Sequence, residues 1–214
     1  MNTTQSQVLK SDDRIVPTLL DYLEREEVVL LPMDTVYGLV VHGQKPRALA
    51  KLRALKNFGQ DQPLGILTRS EKAEEVAILN EAAKRMISHF PYPVTMIVKA
   101  APVLSPEITQ GFANIFLSCP DRFIYDLVGA VPFPLVCATA KAGGEPVTNF
   151  EAAFRYFGHT IPLIVDGGRS YYGRRGTLID FTLENPTIMN FGPVSVDDLR
   201  LILPEIILPS HLMK

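Results

Sequence analysis

Several features that would point to familiar classes of protein are missing from this 214-residue sequence. It has no tryptophan, and its two cysteines, Cys119 and Cys137, are too few for a disulfide framework and lack the spacing of a metal site. We expect both to be reduced thiols, the normal state of cysteine in the cytoplasm. No apolar run approaches the roughly 20 residues of a membrane helix, and Met1 to Lys10 contain no apolar signal core. The sequence therefore predicts a soluble, cytoplasmic protein with no membrane segment.

The motifs of several catalytic classes are absent as well. The four histidines have no mutual spacing suited to zinc or to a catalytic triad, and no acidic cluster resembles a metal cage. Gly-x-Ser-x-Gly is missing, which excludes an α/β-hydrolase nucleophile. No Gly-Lys-Ser/Thr occurs, so the chain has no Walker loop. We expect neither a resident metal nor a tightly bound cofactor.

Positive charge is concentrated in two places, although the net charge is only −2. The two basic groups are Lys45, Arg47, Lys51, Arg53 and Lys56, and Arg169, Arg174 and Arg175. A basic face on a mildly acidic protein suggests an anionic ligand, either a nucleotide or a nucleic acid. A solvated helix face is the alternative interpretation of such a charge run.

The length and the hydrophobic pattern predict one domain over residues 1–214, with a core at about 12–204. Strands are predicted at 27–31, 65–68, 94–99, 114–119, 134–138, 162–165, 177–181 and 187–190. Helices are predicted at 12–26, 46–55, within 71–89, and at 121–129, 150–157 and 196–203. Since strands outnumber helices and alternate with them irregularly, the fold class is α+β or mixed α/β.

The segment Leu31-Pro32-Met33-Asp34-Thr35-Val36-Tyr37-Gly38-Leu39 is the strongest functional signal. It follows an apolar run that reads as a buried strand, and the proline ends that strand because it cannot donate to a sheet ladder. A carboxylate, a hydroxyl, an aromatic ring and a glycine follow within five residues. Open α/β sheets bind their ligands at such strand ends.

Two later loops also carry polar groups after predicted strands. Thr139 and Lys141 lie two residues apart, so they share a face if the strand continues, and together they could hold a carboxylate or phosphate. The segment 166–177 combines glycines with arginines, which are bidentate phosphate donors. For both loops, a plain connecting turn is the alternative.

Together these landmarks resemble the threonylcarbamoyl-AMP synthase family, which has the YrdC-like fold. The landmarks, in order, are Pro32 to Leu39, Lys56, Pro63-Leu64, Pro91-x-Pro93-x-Thr95, Pro120-Asp121, Gly144-Glu145-Pro146, Asp166-Gly167-Gly168, Thr177 to Asp180, and Gly192 before Ser195. The resemblance implies a twisted mixed β-sheet flanked by helices, with a basic concave cavity. It also implies a nucleotidyltransferase that condenses ATP, L-threonine and bicarbonate to threonylcarbamoyl-AMP and pyrophosphate for tRNA modification. Mg²⁺ would enter with ATP, and double-stranded RNA or tRNA is a further implied partner.

The same resemblance assigns roles to individual residues. Lys56 would hold the threonine carboxylate or a phosphate, and Thr35 would hydrogen-bond substrate. Thr139 would replace a serine of the family near the nucleotide, and Lys141 would face the phosphates. Arg174 and Thr177 complete the implied substrate-binding set, while the catalytic residues stay unassigned.

This chain departs from the family pattern at five expected cavity positions. The residues found there are Phe58, Ser118, Lys141, Gly176 and Asn190, where the family has arginine, arginine, asparagine, serine and arginine. Each lost charged hydrogen bond is worth roughly 1.5–3 kcal/mol, so ATP binding should be weakened. Two alternatives to a working synthase stay open: a non-catalytic RNA- or tRNA-binding module, and an enzyme acting on another carbamoyl or adenylate substrate.

Overall fold

A computed structural model describes residues 5–11, 13–56 and 63–209. The helices in these ranges are α1 (Val16–Glu24), α2 (Pro46–Lys56), α3 (Glu81–Ile87), α4 (Pro106–Thr109), α5 (Arg122–Ala130), α6 (Phe150–Phe157) and α7 (Val196–Ile202). The strands are β1 (Gln7–Lys10), β2 (Val29–Leu31), β3 (Gly38–His42), β4 (Gly65–Leu67), β5 (Ala77–Ile78), β6 (Tyr92–Ala100), β7 (Asn114–Cys119), β8 (Leu135–Thr139), β9 (Lys141–Ala142), β10 (Glu145–Pro146), β11 (Leu163–Asp166), β12 (Thr177–Asp180) and β13 (Thr187–Asn190). Short 3₁₀ helices lie at Asp13–Ile15 and Ser70–Glu75.

One large sheet organises the molecule, with the strand order β1-β11-β2-β3-β8-β4-β7-β6-β12-β13 and β5 paired to β6. The pairs β1/β11, β11/β2, β4/β7 and β6/β12 are parallel, and the other neighbours are antiparallel. Strands β9 and β10 form a separate two-stranded sheet. The mixed sheet with its flanking helices confirms the predicted fold class.

Along the central strands, buried and half-buried side chains alternate, as expected for a sheet with only one face covered. In β7, Ile115, Leu117 and Cys119 are buried, whereas Asn114, Phe116 and Ser118 are only half-buried. Strands β2 and β3 are buried at every position. The central sheet therefore has one face in the core and leaves part of the other face open.

Most predicted helices and strands are confirmed, and three segments differ from the prediction. Residues 71–89 contain a 3₁₀ turn, the short strand β5 and α3, where helix alone was predicted. The segment after β2 is a turn only as far as Tyr37, because β3 begins at Gly38 and pairs with both β2 and β8. The edge strand β1 was not predicted, because its pairing with β11 spans over 150 residues of sequence.

Polar side chains start four of the helices by accepting a backbone N–H. The capping residues are Asn80, Asp121, Asn149 and Ser195. Ser195 Oγ accepts the N–H of Asp198 at 3.1 Å and donates to Asp198 Oδ2 at 2.6 Å, so this pair fixes the start of α7.

Both cysteines are free thiols, as expected; Cys119 is buried and Cys137 half-buried. Among the described residues, none of the helices has the length and apolar character needed to cross a membrane.

Candidate active site

A cavity of about 530 Å³ lies on the open face of the central strands. Its lining comes from the loop after β2, from the start of β3, from β4, β6, β7 and β8, and from the ends of β12 and β13. Its polar or charged side chains are Thr35, Thr95, Ser118, Thr139, Lys141, Arg175 and Asn190. A cavity of this size is within the range of small-molecule sites.

The cavity floor is apolar at its centre because of the strand register. Phe116, Gly65 and Cys137 are direct neighbours on β7, β4 and β8. Gly65 presents no side chain, and a Cβ built there would lie 3.1 Å from Cys137 Sγ. The glycine thus leaves a shallow recess between a phenyl ring and a thiol, where the flat, weakly polar part of a ligand can lie against backbone.

Hydroxyl groups border this floor. Thr95 and Ser118 are cross-strand partners on β6 and β7, and both line the cavity. Thr139 ends β8 beside its register partner Gly38, which also lines the cavity. These groups supply neutral hydrogen-bonding partners rather than charge.

Two cationic residues line the cavity from segments on either side of its central strands. Lys141 follows β8, and Arg175 precedes β12; they are the cavity's charged lining residues within the described part of the chain. Strands β4, β7 and β6 separate β8 from β12, which is roughly 19 Å along the sheet at about 4.8 Å per strand. The cavity therefore suits either one ligand with two separated anionic groups or two anionic ligands side by side.

Tyr37 ties the loop after β2 to the glycine segment after β11. Its side chain is fully buried, and its hydroxyl donates to the Gly168 carbonyl at 3.0 Å and accepts the Gly167 N–H at 3.1 Å. A Cβ at Gly167 would lie 2.5 Å from Pro32 Cβ, so only glycine permits this approach. Burial is the main cause that raises the pKa of Tyr37 to about 12, and the Gly167 N–H opposes it.

Replacing Tyr37 with phenylalanine should destabilise the protein by about 1–2 kcal/mol, because both backbone partners lose their hydrogen bond. The unfolded phenol ionises near pH 10 and the folded one near 12, so the wild type should also lose stability as the pH rises between these values. The Tyr37→Phe variant should lack that loss. Urea unfolding of both proteins at pH 7 and pH 11 measures this; parallel losses at pH 11 would contradict the assignment.

Three of the six residues predicted to bind substrate come together in the cavity, namely Thr35, Thr139 and Lys141. Arg174 is exposed, and its neighbour Arg175 lines the cavity instead. Thr177 is fully buried outside the lining, where its hydroxyl accepts the N–H groups of Gly192 and Val194 at 3.1 and 3.3 Å. Lys56 is the last residue of α2, but its side chain lies outside the described part of the structure.

The departures from the family pattern cluster in the same place. Ser118, Lys141, Gly176 and Asn190 all line the cavity, although they come from four separate segments. Phe58 lies outside the described residues. Four positions far apart in sequence therefore meet on one cavity surface.

The basic group around α2 serves another purpose where its side chains are described. Lys45 pairs with Glu24 at 3.4 Å, and Lys51 pairs with Glu27 at 2.8 Å. Arg53 donates to the Glu107 carbonyl. None of these three cations is part of the cavity lining. They fit the alternative interpretation of this charge run, a solvated helix face, better than a ligand site.

Sequence reasoning included Thr95 and Leu178 only among the family landmarks and did not select Phe116, so it did not predict a cavity floor there. Thr95, Phe116 and Leu178 lie within strands, and only their half-buried alternation marks them as facing a cavity. Met33 lines the cavity as well, and its methyl carbon lies 2.5 Å from where a Gly38 Cβ would be. Within the described residues, no group of three or more His, Cys, Asp or Glu side chains could hold a metal ion.

The mixed sheet and its cavity define an α/β domain with a candidate site for anionic small molecules. The family model Sua5_yciO_yrdC, whose description is Telomere recombination, matches residues 21–192. The chain belongs to this Sua5/YciO/YrdC family.

Individual relatives agree with this membership. The threonylcarbamoyl-AMP synthase of Thiobacillus denitrificans is 31% identical over 172 residues, which cover 77% of this chain and 89% of the relative. The crystal structure of P. abyssi Sua5 complexed with L-threonine superposes with a TM-score of 0.86 at 22% identity, over 95% of this chain and 63% of that one. E. coli YciO superposes with a TM-score of 0.80 at 17% identity, over 91% of this chain and 99% of YciO. This chain thus spans less than two thirds of P. abyssi Sua5 but nearly all of YciO.

Proposed function

We propose that this protein is a threonylcarbamoyl-AMP synthase whose affinity for ATP is lower than the family pattern implies. It condenses L-threonine, bicarbonate and ATP, and its product is the donor for threonylcarbamoyladenosine modification of tRNA. The cavity is the observation that carries the proposal, because it combines two separated cations, a hydroxyl border and an apolar recess in a member of this family. The relative from Thiobacillus denitrificans bears the same activity in its name.

The reaction explains why the cavity needs such a layout. The threonine nitrogen and bicarbonate form a carbamate with loss of water. A carbamate oxygen then attacks the α-phosphorus of ATP, and the bond to the β-phosphate oxygen breaks to release pyrophosphate. Threonine brings a carboxylate and ATP brings a triphosphate, so two anionic groups must be held apart while their reacting ends meet. Cations from segments on either side of the central strands match that requirement.

Different residues of the cavity bind different parts of the substrates. Lys141 faces the phosphates, Arg175 provides the second cation, and Thr35 and Thr139 hydrogen-bond the bound substrates. The recess at Gly65 takes the flat adenine ring against backbone. Mg²⁺ carried in with ATP neutralises part of the triphosphate charge. Neutral side chains at Ser118, Gly176 and Asn190 leave fewer charged partners for ATP, which weakens its binding.

Pyrophosphate release from ATP, dependent on both threonine and bicarbonate, is the direct test. Release that requires all three substrates is the expected result. No release at millimolar concentrations of each would contradict the proposal. The alternative of a non-catalytic RNA-binding module is not favoured, because the named relatives above are synthases or share the synthase fold.

Replacing Lys141 with methionine should raise the KM for ATP about tenfold or more, since a charged hydrogen bond to phosphate is worth roughly 1.5–3 kcal/mol. Lys99→Met is the matched control, because Lys99 is an exposed lysine on β6 outside the cavity lining. Steady-state pyrophosphate release measures both variants. If Lys141→Met and Lys99→Met had the same KM for ATP, Lys141 would not bind the phosphates.

A further inference from the structure

The segment that carries Met33 and Thr35 is held by hydrogen bonds on both sides of Asp34. The Asp34 N–H donates to Asp121 Oδ2 at 3.0 Å, and the Asp34 carbonyl accepts the Tyr172 N–H at 2.8 Å. The two peptide planes flanking residue 34 are therefore both fixed. Met33 and Thr35, one on each side, line the cavity.

The Asp121 carboxylate has a second, simultaneous partner. Its Oδ1 accepts the Ile124 N–H at 2.9 Å and so caps α5. The residue is only 9% exposed and is not itself part of the cavity lining, whereas the preceding Pro120 is. One buried side chain thus joins the start of a helix to a loop 87 residues earlier in the chain.

Helix α5 is a firm base for this connection. Ile124, Leu127 and Val128 are buried in the core. At the other end of the helix, Lys72 Nζ donates to the carbonyls of Val128 and Val131 at 2.9 and 2.6 Å. A helix held at both ends and along one face can fix the position of a loop that is bonded to its cap.

We propose that Asp121 is a positioning residue of the active site: it holds the backbone of Asp34 against α5 and thereby sets Thr35 and Met33 relative to bound substrate. This inference rests on the proposed function. Both carboxylate oxygens are used as acceptors, so a side chain with a single acceptor can keep the helix cap but must give up the bond to Asp34. Burial raises the pKa of Asp121 to about 6, and the N–H groups of Ile124 and Asp34 act against that rise by stabilising the carboxylate.

Asp121→Ser is the variant that separates the two roles. Serine is as good a helix cap as aspartate, but it has one acceptor oxygen on a shorter side chain. We expect the Asp34 amide to exchange with solvent at least tenfold faster in this variant. Of ATP and L-threonine, we also expect the one that Thr35 hydrogen-bonds to show a Kd and KM about tenfold higher, while the values for the other change less than twofold. Asp121→Asn, which also has a single acceptor oxygen, should shift the same quantities in the same direction.

Asn80→Ser is the matched structural control. Asn80 caps α3 by accepting the Ala83 N–H at 2.9 Å, and its Nδ2 donates to the Phe181 carbonyl at 2.8 Å. Like Asp121 it makes two hydrogen bonds, and neither it nor its partners line the cavity. This variant should lose comparable thermal stability, yet keep wild-type amide exchange at Asp34 and wild-type Kd and KM values.

A double-mutant cycle with Thr35→Val completes the test, because two changes that act through the same side chain combine less than additively. Unchanged exchange at Asp34 in Asp121→Ser would overturn the proposed link. Faster exchange with equal shifts for both substrates, or full additivity with Thr35→Val, would overturn the positioning role. If the wild type released no pyrophosphate, the proposed function would fail; amide exchange and the Kd values for ATP and threonine would still decide the role of Asp121.

Discussion

Gly192→Ala is expected to destabilise the fold by about 3 kcal/mol or more, because the added methyl group has no space. A Cβ at Gly192 would lie 2.2 Å from the backbone nitrogen of Thr177, 2.5 Å from the carbonyl carbon of Gly176 and 2.7 Å from the carbonyl oxygen of Arg175. All three atoms are backbone at the entry to β12, so no rotamer change can relieve the overlap. The same displacement would move Arg175 and Gly176, which line the cavity.

Gly129→Ala is the control for Gly192→Ala. A Cβ at Gly129 would come 2.5 Å from Arg69 Nη1, which is the far end of a long side chain and not backbone. Because Gly129 lies within α5, alanine also raises helix propensity, so this variant should be neutral or slightly stabilising. Urea unfolding measures both variants. A stability for Gly192→Ala within 1 kcal/mol of the wild type would show that β12 and the loop after β13 can separate.

Phe58→Arg combined with Lys141→Asn should raise the affinity for ATP, or threonine-dependent pyrophosphate release, tenfold or more. The arginine restores a bidentate cation, and the asparagine restores an amide that can accept as well as donate. One charged hydrogen bond regained at roughly 1.5–3 kcal/mol corresponds to about a 10- to 100-fold gain. Phe58 lies outside the described residues, whereas Lys141 lines the cavity.

The single variants are the controls for this double change. Lys141→Asn alone should weaken ATP binding because it removes a cation without replacement. Phe58→Arg alone should gain less than the double variant, since Lys141 still stands where the family pattern has an amide. A wild type already as active as the double variant, or ATP affinity unmoved by both changes, would refute this explanation of the divergence.

Local pattern was sufficient to predict elements whose hydrophobic residues recur with a clear period. Strand β7 and helix α6 have the predicted bounds, 114–119 and 150–157, because alternation in one and a helical apolar face in the other are visible in sequence. Strand β3 is not among the predicted strands, since Gly38 at its start suggests a turn and its two partners become apparent only in the folded sheet. Long-range pairing overrides local signals of this kind.

The candidate site was predictable where its residues follow strands and only partly so where they lie within them: Ser118 is an expected cavity position, whereas Phe116 is not. Thr35, Thr139 and Lys141 follow or end apolar strands, and all three line the cavity. Arg174 and Arg175 are adjacent, so sequence offers no means to decide which one turns inward. The bond from Asp121 to Asp34 could not be predicted, because it depends on how α5 packs beside a loop far away in the chain.

The cavity wall draws on segments from Met33 to Asn190, with contributions near residues 65, 95, 118 and 140. Residues 33–141 alone would therefore leave the site without Arg175, Gly176, Leu178 and Asn190. Contacts between segments so distant in sequence make folding slow, since the intervening chain must lose conformational entropy before they form. Because the lining residues are spread along the chain, a bound nucleotide contacts the whole domain. Its binding therefore adds to the free energy of global unfolding by an amount set by its concentration and Kd. Nucleotide should accordingly slow proteolysis across the entire molecule rather than in one loop.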